Sequence, residues 1–154
     1  MSTVLERLSK LGLTLPAAAA PAANYVPFVK TGNLVFVAGQ IPLREGKVQF
    51  KGRVGADVTL EQAQEAARMC AVNVIAQLRE ATGGDLERVR RVVKVGVFVA
   101  CTPEFIDQPK VGNGASDLFV AAFGEAGKHA RAAVGAPSLP LGVPVEVDAV
   151  VEIA

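Results

Sequence analysis

Apolar and polar residues alternate most strictly at the end of the chain. Val145, Val147, Ala149, Val151 and Ile153 fall on one side, and Glu146, Asp148, Val150 and Glu152 on the other, which predicts a long strand. The run RVVKVGVFVA (91–100) is almost continuously β-branched and predicts a central strand. Tyr25 opens the earliest β signal. VPFV (26–29), the turn Lys30-Thr31-Gly32-Asn33 and LVFVA (34–38) predict a hairpin, ended at Gly39, where a second group can approach the backbone. A turn over 44–47 then leads into a short strand, VQF.

The period changes from 2 to 3.6 at Thr59. Gln62 completes a capping box, Ala63, Ala67, Cys70, Val74 and Leu78 share one helical face, and Gly83-Gly84 end the helix. After a Pro/Gly-rich loop (103–114), Ser116 is expected to cap a second helix carrying Leu118, Phe119, Ala122, Phe123 and Ala126. Gly127 closes that helix. The strand around Arg131 and the final strand then follow, joined by a turn over 137–142. At the other end, residues 2–11 read as a short helix stopped by Gly12, and LPAAAAPAAN (15–24) as a connector. The expected organisation is an N-terminal arm, 1–23, packed on one domain, 24–154. The order hairpin, helix, strand, helix, strand, strand points to an α+β layer with two helices on one face of a sheet. The bare face then predicts an oligomer.

At 154 residues the chain is long enough to bury a core. Its net charge of +1, with both signs spread along the chain, argues against nucleic-acid or membrane-surface binding. Cys70 and Cys101 form no disulfide framework or metal-ligand spacing, and no apolar run is long enough to span a bilayer. Glu6, Arg7 and Lys10 interrupt the apolar block a secretion signal needs. The expectation is a soluble cytoplasmic protein. No Walker loop, dinucleotide fingerprint, HExxH or CxxC occurs, so cofactor and metal chemistry have no support in the sequence.

The remaining chemistry centres on Arg131. A guanidinium among Ala and Val on a strand needs a partner. Three readings stay open: a salt bridge to Glu146 or Asp148, exposure at a strand end, or capture of a ligand carboxylate by its planar fork. Consecutive strands joined by a short loop usually neighbour each other, which would let Arg131 meet those carboxylates. His129, two residues earlier, shares the face of Arg131 and is read either as structural or as catalytic. A Cys101–His129 thiol pair is a further idea that no spacing supports. Tyr25, the only tyrosine, is read as an amphipathic rim residue.

NYVPFVKTGNLVFVAGQIP, the run Ala130-Arg131-Ala132-Ala133-Val134 and LPLGVPVEVDAVVEI together resemble the YjgF/RidA family, the reactive imine and enamine deaminases that also carry an L-PSP endoribonuclease description. The resemblance spans roughly Asn24 to Ile153 and is nearest to a longer bacterial branch. It implies a chorismate-mutase-like fold, a single mixed sheet with two helices on one face, assembled as a homotrimer with clefts between subunits. It implies that Arg131 binds the carboxylate of a 2-imino or 2-enamino acid and that Glu146 positions the attacking water. Tyr25 and Gly39 would line the cleft, and Asn113 corresponds to an asparagine ahead of the second helix. The chain has Ala133 where the best-known deaminases carry a cysteine, and Ala38 where a hydroxyl residue is common. The implied ligand is a small 2-imino or 2-keto acid, with no cofactor. The alternatives are a non-catalytic carboxylate-binding module of the same fold and, against the charge balance, an endoribonuclease.

Overall fold

The computed structural model describes all 154 residues. Three helices, α1 (Val4–Lys10), α2 (Leu60–Ala81) and α3 (Gln108–Phe123), accompany seven strands. These are β1 (Phe28–Thr31), β2 (Leu34–Gln40), β3 (Leu43–Arg44), β4 (Lys47–Val48), β5 (Val89–Ala100), β6 (Ala130–Ala136) and β7 (Val145–Ile153). Five strands form one mixed sheet in the order β1-β2-β7-β5-β6, and β3–β4 is a separate two-stranded ribbon. Only the β5–β6 pair is parallel. Parallel neighbours need a crossover, and α3 supplies it.

Period-2 burial decides which face the helices cover. In β7 the burial alternates over all nine residues, with Val145, Val147, Ala149, Val151 and Ile153 inward. Val95, Val97 and Val99 of β5 and Val35 and Val37 of β2 join them in one core with α2 and α3. Each buried valine of this kind contributes roughly 1.5–3 kcal/mol. α2 starts at the Thr59–Gln62 capping box and buries the expected face. Its fully buried Ala63, Ala66, Ala67 and Ala71 are small, which lets other elements come close. α3 does so at Gly114, where a Cβ would collide with the Gln64 carbonyl of α2.

A third helix adds to the two long ones. α1 carries its own capping box, Thr3 with Glu6, and buries Val4 and Leu8 in the same core. The segment after it is tied to α2, since Gln77 Nε2 donates to Ala19 O at 2.8 Å and Arg79 Nη2 to Pro16 O at 2.7 Å.

Three local expectations need correction. α3 begins at Gln108, so residues 108–114 are helix and Ser116 is an interior residue. Pro109 suits the first turn, where its missing N–H costs nothing. Gly112 and Gly114 look like loop formers, yet both sit where a neighbour presses on the helix. Gly124, at φ 63°, ends α3, and a 3-10 turn carries the chain through Gly127. β1 starts at Phe28 and its turn is Gly32-Asn33, which leaves Tyr25 ahead of the strand.

The topological correction is larger. β6 and β7 are not neighbours, because β5 lies between them. After the crossover, β6 docks on the free edge of β5, and β7 enters the slot between β5 and β2. The face opposite the helices carries Phe36, Phe98, Val134 and Val150 together with Glu146 and Asp148. No helix covers it, and Phe36 and Val134 remain 45% and 48% exposed. No helix of the chain is long and apolar enough to cross a membrane.

Candidate functional site

Register assigns the two principal candidates to opposite faces. Arg131 aligns with Val95, which points at the helices, whereas Glu146 aligns with Phe98 on the open face. They do not meet within one chain. The only ion pairs are the exposed Lys110–Asp107 and Lys128–Glu125, so the Arg131–carboxylate bridge, one of the three open readings, is absent.

Arg131 instead reaches across to α3. Its Nη1 donates to Asn113 Oδ1 and to Ser116 Oγ, both at 3.0 Å, and Nη2 donates to Pro109 O at 3.1 Å. Asn113 and Ser116 are three apart and so share a helix face. Gly112 lies under the guanidinium, where a Cβ would stand 3.0 Å from Nη1. Of the five N–H donors of the fork, three are engaged. Nε–H and one Nη2–H remain, enough for a bidentate carboxylate. Ala133 follows on the same face, half-buried and aligned with Val97.

Ser116 is the residue that reading the sequence missed. Taken as a helix cap, it is in fact an acceptor for Arg131 and lies 2.8 Å from His129 Nε2. The signal was the Asn113–Ser116 spacing, legible only once α3 is extended back to Gln108. The Cys101–His129 pair does not form. Cys101 Sγ has Gln108 Nε2 as its partner at 3.6 Å, and His129 faces Ser116 and Gly127. Cys70 is a core thiol whose proton affinity is raised by burial and then by the Glu146 charge.

The second half is built around Glu146. Its carboxylate folds against Gly39, where any Cβ would collide with Oε1. A register shift in β2 between Val37 and Gln40, the mark of a bulge, sets Gly39 at this point. Glu146 and Gly39 open into a cavity of about 300 Å³, walled by Tyr25, by Pro140 and Leu141, and by the connector from Ala19 to Ala23. Leu141 adopts φ 59°, a left-handed conformation that costs a non-glycine residue roughly 1–2 kcal/mol. Such outliers gather where the surroundings over-determine the backbone.

No hydrogen bond within the chain reaches the Glu146 carboxylate, in contrast to the Arg131 guanidinium. Burial pushes its pKa above the ordinary carboxylate range, and the charge of Asp148 two residues on pushes it further. Asp148 is itself raised by burial, against the pull of the Gly96 amide and of Lys94. It folds onto Gly96 as Glu146 folds onto Gly39. No cluster of three or more His, Cys, Asp or Glu side chains is placed to hold a metal ion.

Comparison with known proteins agrees with this architecture. Residues 5–153 match the family described as "YjgF/chorismate_mutase-like, putative endoribonuclease". Protein TCP17 of Trypanosoma cruzi is 50% identical over 151 residues, which is 97% of this chain and 94% of that protein. The 2-iminobutanoate/2-iminopropanoate deaminase of Dermatophagoides farinae is 29% identical over 141 residues, 92% of this chain and 94% of that one. The crystal structure of a protein of unknown function from Agrobacterium tumefaciens superposes with a TM-score of 0.93 at 52% identity. That match covers 98% of this chain and 92% of that one.

Proposed function

The chain belongs to the YjgF/chorismate-mutase-like family, and from that premise we propose that it hydrolyses reactive 2-imino and 2-enamino acids to 2-keto acids and ammonia in the cytoplasm. Glu146 is the observation that carries the reading. It is a half-buried carboxylate without protein donors, opening on a cavity, with its proton affinity raised. A general base gains from such a shift toward the working pH. In the proposed reaction the two unspent donors of Arg131 hold the substrate carboxylate. Glu146 takes a proton from water as its oxygen bonds to the imine carbon, and passes that proton to the imine nitrogen. The hydroxyl of the resulting carbinolamine then gives its proton, through Glu146, to the amine nitrogen as the C–N bond breaks, and ammonia leaves. Tyr25, Gly39, Asn113 and Ala133 border the substrate or the groups that hold it. Positioning alone can lower such a barrier by on the order of 7–11 kcal/mol, so no cofactor is invoked.

If Arg131 and Glu146 serve one site, their opposite orientation calls for a second copy to complete it. One twofold interface would have to present both faces of the sheet at once, whereas a head-to-tail ring brings the β6 edge of one copy to the Glu146 cavity of the next. Three is the smallest such ring, and a homotrimer is the assembly we propose. It would also cover apolar surface at Phe36 and Val134.

The test is a coupled assay in which an amino-acid oxidase generates the imino acid in situ. Wild type should speed imine loss and Arg131→Ala should do so with a kcat/KM lower by on the order of 10²-fold or more; an unchanged kcat/KM in that variant overturns the assignment. Mixing Arg131→Ala with Glu146→Gln subunits should restore about a quarter of wild-type activity if each site draws on two copies of a ring. No recovery sinks the shared site. Protection by 2-keto acids against melting without turnover favours the carboxylate-binding module. RNA cleavage that Arg131→Ala abolishes favours the endoribonuclease.

A further inference from the structure

We infer that His129, acting through Ser116, is the positioning residue that fixes the Arg131 fork for an incoming carboxylate. The inference rests on the proposed function only in that Arg131 takes a carboxylate; it holds equally for turnover and for binding alone.

Hydrogen-bond directions follow from what each group can do. The Gly127 carbonyl can only accept, and it lies 2.6 Å from His129 Nδ1, so Nδ1 carries the proton of the neutral ring. Nε2 is then an acceptor. Ser116 Oγ, 2.8 Å away, gives Nε2 its single proton. A guanidinium only donates, so the Nη1–H of Arg131, 3.0 Å from Ser116 Oγ, meets the serine lone pair. The donors run one way, from Arg131 to Ser116 to His129 to the main chain at Gly127. Such chains reinforce each member.

Both ends of the relay are immobilised. Gly127 is buried against the Phe119 carbonyl with no room for a Cβ, and the Phe119 ring packs edge-on to the imidazole at 5.8 Å. At the other end the guanidinium rests on Gly112 of α3. Ser116 is the one part free to rotate. A serine inside a helix commonly turns its hydroxyl back to the carbonyl four residues earlier, here that of Gly112. His129 Nε2 competes for that proton and keeps the lone pair of Ser116 aimed at Arg131. The fork is thereby held with Nε–H and one Nη2–H unspent.

The experiment measures binding of 2-keto acids by titration calorimetry, alongside kcat and KM for the imino acids. His129→Ala should weaken keto-acid binding and raise KM by roughly tenfold, the value of one hydrogen bond to a charged group, with kcat changed far less. Ser116→Ala should lose about as much. The double variant should lose no more than either single, because both break one relay. His129→Gln, whose amide oxygen can accept the serine proton, should recover most of the affinity and also controls for folding. Unchanged binding in His129→Ala, additive losses in the double variant, or no recovery in His129→Gln overturns the inference. Wild type that neither binds 2-keto acids nor consumes imino acids overturns the proposed function and the relay's purpose with it.

Discussion

The two halves of the site treat their charged groups in opposite ways. Arg131 is spanned by three acceptors from α3 and rests on a glycine of that helix. Glu146 also rests on a glycine but receives no donor, and burial and a neighbouring charge make its ionised form costly. A group whose task is to hold an anion gains from having its geometry settled beforehand. A group whose task is to take up and return a proton gains from being left under-solvated and unpaired. In the proposed reaction, one sheet would meet both needs by sending the arginine to its helix-covered face and the glutamate to its bare one.

Removing either group should therefore fail in a different way. Arg131→Ala takes out two charge-assisted hydrogen bonds and should lower kcat/KM by on the order of 10²–10³-fold, mainly as a rise in KM. Glu146→Gln keeps the shape but not the base. It should cut kcat by roughly 10²-fold or more while keto-acid affinity stays near wild type. A matching fall in affinity would mean that Glu146 also binds, and the contrast would dissolve. Gly39→Ala should displace the carboxylate without touching Arg131, lowering kcat by on the order of 10- to 100-fold, as a shift of about 1 Å can. The positive-φ restriction does not apply at Gly39, so any stability loss should come from moving Glu146 alone.

The smallest expected effect is the sharpest test of the electrostatics. Asp148→Asn removes the like charge beside Glu146, so the pKa of Glu146 should fall and the acid limb of the rate profile should move to lower pH. Stability moves with it. A carboxyl whose pKa is raised in the folded chain binds its proton more tightly there than when unfolded, so stability declines as pH rises through that window. Asp148→Asn should melt higher than wild type at neutral pH, with the difference vanishing below the ordinary carboxylate range. A limb that does not move would place the second cause of the Glu146 shift elsewhere.

What could be read from the sequence was what is decided locally. The Thr59–Gln62 box and the alternation of 145–153 each depend on a few adjacent residues, and each appears in the fold. The misreadings concern contacts distant in sequence. Gly112 and Gly114 imitate a loop because their function, close approach to Arg131 and to α2, belongs to partners 19 and 50 residues away. The adjacency of β6 and β7 was the default for consecutive strands, and the parallel docking of β6 on β5 overrode it. The roles given to Arg131, Glu146, Tyr25, Gly39, Asn113 and Ala133 came from a resemblance. The pattern alone left Arg131 with three meanings, and the roles of Ser116 and His129 needed a folded helix.

The sheet's two borders have different consequences for a chain at low concentration. β1 is four residues long, follows Pro27 and carries Lys30, features that discourage a passing strand from adding on. β6, on the far side, reads ARAAVGA, with no proline or lysine, and its one charged head group is drawn away onto α3. A solitary copy thus offers seven residues of unguarded backbone to any extended polypeptide it encounters. If the proposed ring comes apart on dilution, its copies would present this edge to one another, and the strand that carries Arg131 would then favour precipitation of the dissociated protein.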